Sequence, residues 1–172
     1  MRRHAGSIVV GLCLLAPSVS GALAQKQGGT LRVTHRDSPL NMSIHEEGTI
    51  SVVAPMMGVF NNLVLFDQHK TQNSLDNIVP DLATAWKWGE DGKTLTFTLR
   101  QGVKWHDGKP FSSADVKCTW DLLADKSAEK FRVNSRKGWW TNVEDVVANG
   151  ETEVAFKLKE PQPALLSLMR SE

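Results

Sequence analysis

The stretch LRQGVKWHDGKPFSSADVKCTWDLL, residues Leu99–Leu123, decides the fold because it joins a strand end, a polar turn and a helix start in one short run. Asp107 and Gly108, close to Pro110, are typical of a tight turn. An Asp side chain hydrogen-bonds to nearby backbone, and Gly adopts the positive φ that such a reversal needs. The motif therefore predicts a turn between two regular elements.

A helix is predicted directly after this turn. Ser112 is a good N-cap residue, and Asp115 three residues later resembles the acidic partner of a capping box. The apolar residues that follow recur at helical spacing and fall on one face, namely Val116, Trp120 and Leu123. Each notable residue of the stretch thus has a structural task.

Strand patterns flank the helix, so the fold class is predicted to be mixed α and β. Residues Thr94–Leu99 alternate apolar and threonine side chains after a turn at Glu90–Lys93. Val154–Leu158 alternates in the same way, and Ala164–Met169 begins another apolar element.

The earlier part of the chain gives weaker patterns. We expect a strand at Thr30–His35 and a short helix at Pro80–Trp86 that begins with its proline. Ser51–Leu65 is apolar enough for a buried helix that runs into a short strand, with Pro55 in the first turn of the helix.

The first 24 residues have the pattern of a secretory signal peptide. Arg2–His4 is basic, Ile8–Ala16 is apolar, and Ala22–Ala24 is typical of a cleavage site, so we expect cleavage after Ala24. The alternative is a membrane anchor, but the apolar run is shorter than the roughly 20 residues that span a bilayer. The sequence predicts export to the periplasm.

Charge and cysteine content exclude other classes of protein. The formal charge is +1, and cleavage would remove Arg2 and Arg3, leaving no basic patch for nucleic acid or an anionic membrane. Cleavage would also remove Cys13, and Cys118 alone forms no intramolecular disulfide. We expect Cys118 to be a small core residue.

The histidines do not form a catalytic or metal-binding pattern. His35, His45 and His69 lack the spacing of a zinc helix, so neither a metal nor a cofactor is predicted. An alternative hypothesis is a secreted hydrolase that uses the group His106, Asp107 and Cys118. Another is a fragment that does not fold.

The longer stretch VPDLATAWKWGEDGKTLTFTLRQGVKWHDGKPFSSADVKCTWDLL, Val79–Leu123, resembles the signature region of the family 5 extracellular solute-binding proteins. These are the oligopeptide-, dipeptide- and nickel-binding components of ABC importers. The principal matching positions are Pro80, Trp86, Asp91, Gly92, Phe97, Arg100, Gly102, Trp105, Asp107, Gly108, Asp115 and Val116. This is a signature of the fold and not of the ligand.

The resemblance implies the N-terminal part of a periplasmic-binding-protein type II fold. It implies a division into a signal peptide at 1–24, the start of domain I at 25–66, domain II at 67–160 and a truncated return to domain I at 161–172. The implied function is not enzymatic: a monomer in the periplasm binds a peptide-like solute without a cofactor and delivers it to an inner-membrane ABC permease.

The resemblance also implies a ligand segment. The residues that match the family's cleft lining are His45, Glu46, Glu47, Gly48 and Thr49, and Glu47 is placed to meet a peptide amino group or a cation. The alternative is a solvated loop. Most of the cleft is expected to lie in sequence that is absent here, and the choice among peptide, opine, nickel complex and sugar is left open.

Overall fold

Antiparallel strands and the helix that covers them form the core of the computed structural model, which describes residues 28–30, 32–35, 37–56 and 58–169. Its helices and strands are α1 (Ile50–Met56), β1 (Val64–Phe66), β2 (Ile78–Pro80), β3 (Ala83–Trp88), β4 (Thr94–Leu99), α2 (Ser113–Leu123), β5 (Val143–Asn149), β6 (Glu153–Leu158) and α3 (Leu165–Met169). Short 3-10 turns at Leu75–Asn77 and Lys137–Trp140 precede β2 and β5. The predicted mixed α and β class is confirmed.

Four strands form an antiparallel sheet in the order β3-β4-β6-β5, and β1 pairs separately with β2. The prediction of a strand at Thr94–Leu99 is confirmed, with Leu95, Phe97 and Leu99 buried. Phe97 lies opposite Trp86 across the β3–β4 hairpin. The apolar alternation of the strand therefore sets which face of the sheet carries the core.

Helix α2 begins where the sequence predicts. The Ser112 backbone N–H donates to Asp115 Oδ2 at 2.8 Å, and the reciprocal bond completes a capping box. Ser113 is buried and its hydroxyl donates to the Gly150 carbonyl at 2.5 Å, which ties the helix start to the β5–β6 turn. The cap and this bond fix the helix against the sheet.

An aromatic cluster joins the buried face of α2 to the sheet. The Trp120 ring lies edge-on to Trp140, with centroids 4.4 Å apart, and to Phe156 at 4.9 Å. Phe156 meets Phe97 of β4 in the same edge-on manner at 5.6 Å. Val116 and Leu123 of α2 are buried beside them, so the predicted helical face is confirmed.

The expected helix at Pro80–Trp86 is wrong. Pro80 ends β2, and Ala83–Trp88 forms β3, which pairs with β4 along its whole length. Thr84, Trp86 and the tryptophan at 88 favour strands, and pairing with a well-formed neighbour outweighs the helical preference of the alanines.

Two weaker expectations at the beginning of the chain also differ from the structure. Residues 30 and 32–35 form no strand, and Val33 is largely exposed; Leu31 lies outside the described residues. Apolar alternation alone does not supply a pairing partner. Pro55 is the sixth residue of α1 and not in its first turn, and the helix ends at Met56, one residue later.

The predicted signal peptide, residues 1–24, lies outside the described residues. Within the part that the structure describes, no helix has the length and apolar character to cross a bilayer.

Candidate functional site

The residues expected to contact a ligand form a turn that leads into α1. We call residues 43–49 the binding segment. Its first residue, Ser43, accepts a backbone hydrogen bond from Glu47 at 3.2 Å, and its last, Thr49, accepts one from Val53 of α1 at 3.0 Å. The turn therefore holds the side chains between these two residues close together.

The five predicted site residues differ in exposure. His45, Glu46 and Glu47 are half-buried, whereas Gly48 and Thr49 are exposed. The three half-buried side chains make hydrogen bonds and ring contacts of the segment, which are described next.

Glu47 carries a carboxylate that is only partly satisfied. Its Oε1 accepts a hydrogen bond from the Thr49 hydroxyl at 2.8 Å. Its Oε2 is buried and has no hydrogen-bond partner among the residues that the structure describes. A buried acceptor without a partner costs about 1–3 kcal/mol, and more when it is charged. A donor brought by a ligand would remove this cost.

Glu46 and His45 make contacts with a distant part of the chain. Glu46 Oε1 accepts the Arg132 backbone N–H at 2.7 Å, and the His45 and Phe131 rings lie with centroids 5.7 Å apart. Since 86 residues separate Glu46 from Arg132, no local pattern in the sequence indicates this contact.

A groove of about 390 Å³ opens beside the binding segment. His45 belongs to both, and most of the groove wall is apolar. Val59, Phe60 and Trp105 line it while remaining about half exposed. Sequence reasoning missed this groove because its wall comes from segments far apart in the chain.

At the turn in the centre of the opening motif, Asp107 is paired with Lys109. Asp107 accepts bonds from the Lys109 backbone at 3.0 Å and from its ammonium at 2.8 Å, and the lysine lowers the pKa of the Asp107 carboxyl. Among the described residues, no hydrogen bond joins His106 to Asp107 or Cys118. The hydrolase hypothesis is therefore not supported.

Cys118 is exposed, so the expectation of a core residue is wrong. The buried face of α2 holds Val116 and Trp120. At 100° per residue, position 118 lies about 200° around the helix from each of them and faces outward.

Several signature residues lie in turns and caps. Asp91 accepts bonds from the Lys93 and Thr94 backbones at 2.9 and 3.1 Å, and these bonds and the Thr94 hydroxyl lower the pKa of its carboxyl. Positive φ values occur at Gly92, Gly102 and Gly108. The Arg100 guanidinium donates to the Asp81 carbonyl at 3.0 Å.

The remaining signature residues have the following places in the fold. Pro80 ends β2; Trp86 and Phe97 face each other across β3 and β4; Trp105 lies edge-on to Phe111; Asp115 caps α2; Val116 is buried. The described residues contain no group of three or more His, Cys, Asp or Glu side chains that would hold a metal ion.

The architecture is a mixed α and β fold, and solved structures of known proteins share it. The structure is similar to that of the dipeptide-binding protein from Pseudoalteromonas sp. SM9913 in complex with Met-Leu, with a TM-score of 0.64 and 22% identity. The match covers 77% of this chain and 28% of that one. The fold is thus that of the type II periplasmic binding proteins.

The sequence is similar to that of relatives whose names describe peptide binding. It is 37% identical over 125 residues to the dipeptide-binding protein of Escherichia coli, covering 72% of this chain and 21% of the relative. It is also 37% identical over 111 residues to a Brucella ovis protein named as an ABC transporter peptide-binding protein, covering 64% of this chain and 19% of that protein. The chain spans about a fifth of the length of these relatives.

A family model described as bacterial extracellular solute-binding proteins, family 5 Middle, matches residues 77–171. The chain belongs to this family of solute-binding proteins.

Proposed function

We propose that this chain is part of the periplasmic solute-binding component of an ABC importer for peptide-like solutes. The relatives named as dipeptide-binding and ABC transporter peptide-binding proteins support this proposal. The chain carries no catalytic role in this proposal; it captures the solute and delivers it to an inner-membrane permease.

The observation on which the proposal rests is the buried carboxylate oxygen of Glu47. Within the described part of the chain, Glu47 Oε2 has no hydrogen-bond partner, while the Thr49 hydroxyl donates to the other oxygen at 2.8 Å. The α-ammonium of a peptide is a cationic donor that suits this acceptor, because charge-assisted hydrogen bonds are roughly twice as strong as neutral ones. We expect His45, which lines the adjacent groove, to contact the same ligand.

Calorimetric titration with the dipeptide Met-Leu and with its N-acetylated form tests this role. We expect the free dipeptide to bind, and acetylation or Glu47→Gln to weaken binding at least about tenfold, since each removes a charge-assisted bond. Glu90→Gln, a change at an exposed turn residue, is the matched control. Equal binding of the free and acetylated dipeptides would contradict the role of Glu47.

The proposed location depends on the N-terminal 24 residues. N-terminal sequencing of the protein recovered from the periplasm should begin at Gln25, because cleavage is expected after Ala24. A periplasmic protein that retains Met1 would contradict the cleavage site. Size-exclusion chromatography of the same sample tests the proposed monomer.

A further inference from the structure

Two contacts join the binding segment to residues 131–136, which we call the supporting segment, and a third residue lies nearby. His45 packs on Phe131, Glu46 binds the Arg132 N–H, and Gly48 lies against the last two residues of the supporting segment. A methyl group at Gly48 would be 3.6 Å from Ser135 Oγ and 3.9 Å from the Arg136 side chain. The contacts follow the same order along both segments, so the two lie side by side.

The hydrogen bond between Glu46 and Arg132 is a polar contact between the two segments. The supporting segment contains no helix or strand, so the Arg132 N–H does not bond within regular secondary structure. The Glu46 carboxylate supplies the acceptor at 2.7 Å, a length typical of a charge-assisted hydrogen bond. The Glu46 backbone N–H in turn donates to Ser43 Oγ at 3.3 Å, which holds the residue from its other end.

The two adjacent glutamates therefore differ in what they hold. One Glu46 oxygen accepts a hydrogen bond from the Arg132 backbone, whereas no described residue donates to the buried Glu47 Oε2. We infer that Glu46 is a positioning residue, which fixes the binding segment on the supporting segment, and that Glu47 meets the ligand. The part of this inference that concerns the ligand rests on the proposed function.

Two substitutions of Glu46 distinguish a role in positioning the binding segment from a role in direct contact with the ligand. Glu46→Gln keeps an oxygen that accepts the Arg132 N–H but removes the charge that a ligand ammonium needs. Glu46→Ala removes both. Glu90→Ala, at an exposed turn residue, is the matched control.

The first readout is amide hydrogen exchange at Arg132 in the unliganded chain, which does not depend on any solute. We expect Glu46→Ala to speed exchange at Arg132 about tenfold or more, and Glu46→Gln to change it only a few-fold. Unchanged exchange at Arg132 in Glu46→Ala would overturn the inference.

A second variant covers the case in which Glu46→Ala does not fold. Arg132→Pro removes the N–H and leaves the glutamate in place. We expect faster exchange at the Glu47 amide, which lies inside the binding segment, with protection in β4 retained. Unchanged exchange at Glu47 would overturn the inference in this variant as well.

The second readout is the affinity for Met-Leu. Positioning predicts that Glu46→Gln binds within a few-fold of the wild type and that Glu46→Ala binds at least about tenfold more weakly. If Glu46→Gln keeps its protection at Arg132 but binds as weakly as Glu46→Ala, Glu46 contacts the ligand and the inference fails. If the wild type does not bind, the proposed function fails, and exchange at Arg132 still decides the positioning role.

Discussion

At the scale of single residues, two glycines differ in whether the backbone conformation requires glycine. Gly108 has φ +86°, which L side chains rarely adopt, although space around it is open. Gly48 has room for a methyl group at ordinary contact distance. The backbone conformation, and not crowding, therefore determines the need for glycine at position 108.

We expect Gly108→Ala to lower the free energy of unfolding by about 1–2 kcal/mol, the cost of left-handed backbone for an L residue. Gly48→Ala is the matched variant and should change it by less than about 0.5 kcal/mol. Urea unfolding measures both. Equal losses in the two variants would contradict the conformational explanation.

Asp125 gives a pH-dependent prediction. Its carboxylate pairs with Lys137 and with Lys130 at 2.9 Å, and these hydrogen bonds lower its pKa from 3.8 to about 2. Because the folded-state pKa is the lower one, the stabilisation is present above about pH 4 and is lost as the pH falls toward 2.

Asp125→Asn should therefore be less stable than the wild type at pH 5, and the difference should shrink between pH 4 and 2. Asn also tolerates the positive φ of 60° at this position, so backbone strain does not confuse the result. Urea unfolding across this pH range measures the difference, which 1 M NaCl should reduce because salt screens exposed charges. A difference that is constant with pH would exclude the ion pairs as its cause.

At the scale of elements, the start of α2 depends on its capping box. Ser112→Ala removes the side-chain cap and should cost about 1 kcal/mol in the free energy of unfolding. Ser74→Ala is the control, because Ser74 precedes a 3-10 turn without making a side-chain cap bond. Chemical denaturation of both variants measures the cost, and equal effects would contradict the role of the cap.

The aromatic cluster under α2 joins helix and sheet, and its tryptophan is the clearest test of that packing. Trp120→Ala should cost about 3–5 kcal/mol, because the cavity would remove contacts with Trp140 and Phe156. Trp139→Ala, at a half-exposed ring, should cost less than about 1 kcal/mol. Near-UV circular dichroism during urea unfolding measures the free energy of unfolding of both variants. Similar losses of stability would contradict the role of Trp120 in joining helix and sheet.

The elements that could be predicted from sequence are those with a complete local signal. Thr94–Leu99 has strict alternation, and α2 has both a cap and an apolar face, so each pattern fixes its own structure. The expected helix at Pro80–Trp86 is wrong because the strand Ala83–Trp88 depends on pairing with β4, which begins after the hairpin turn. Propensity is a weak guide where such pairing decides.

At the scale of the whole molecule, the resemblance predicts a ligand contact at Glu47 but gives no separate role to Glu46. Residues 45–49 remain a prediction from the resemblance, and no sequence pattern distinguishes what the neighbouring Glu46 contacts. That contact depends on Arg132, which lies 86 residues away and reaches Glu46 only after the chain folds. Contacts of this kind have no periodic signal in the sequence.

The groove beside the site gives the last prediction. Its rim exposes Val59, Phe60 and Trp105 together, and contiguous apolar surface of this kind binds apolar partners. An environment-sensitive apolar dye should therefore bind the folded chain, and Phe60→Ser should reduce its fluorescence at least about twofold by removing a large part of the apolar rim. Leu75→Ser, at a similarly exposed residue outside the groove, should leave it nearly unchanged. Equal reductions in the two variants would show that the dye binds to exposed apolar residues in general and not to the groove.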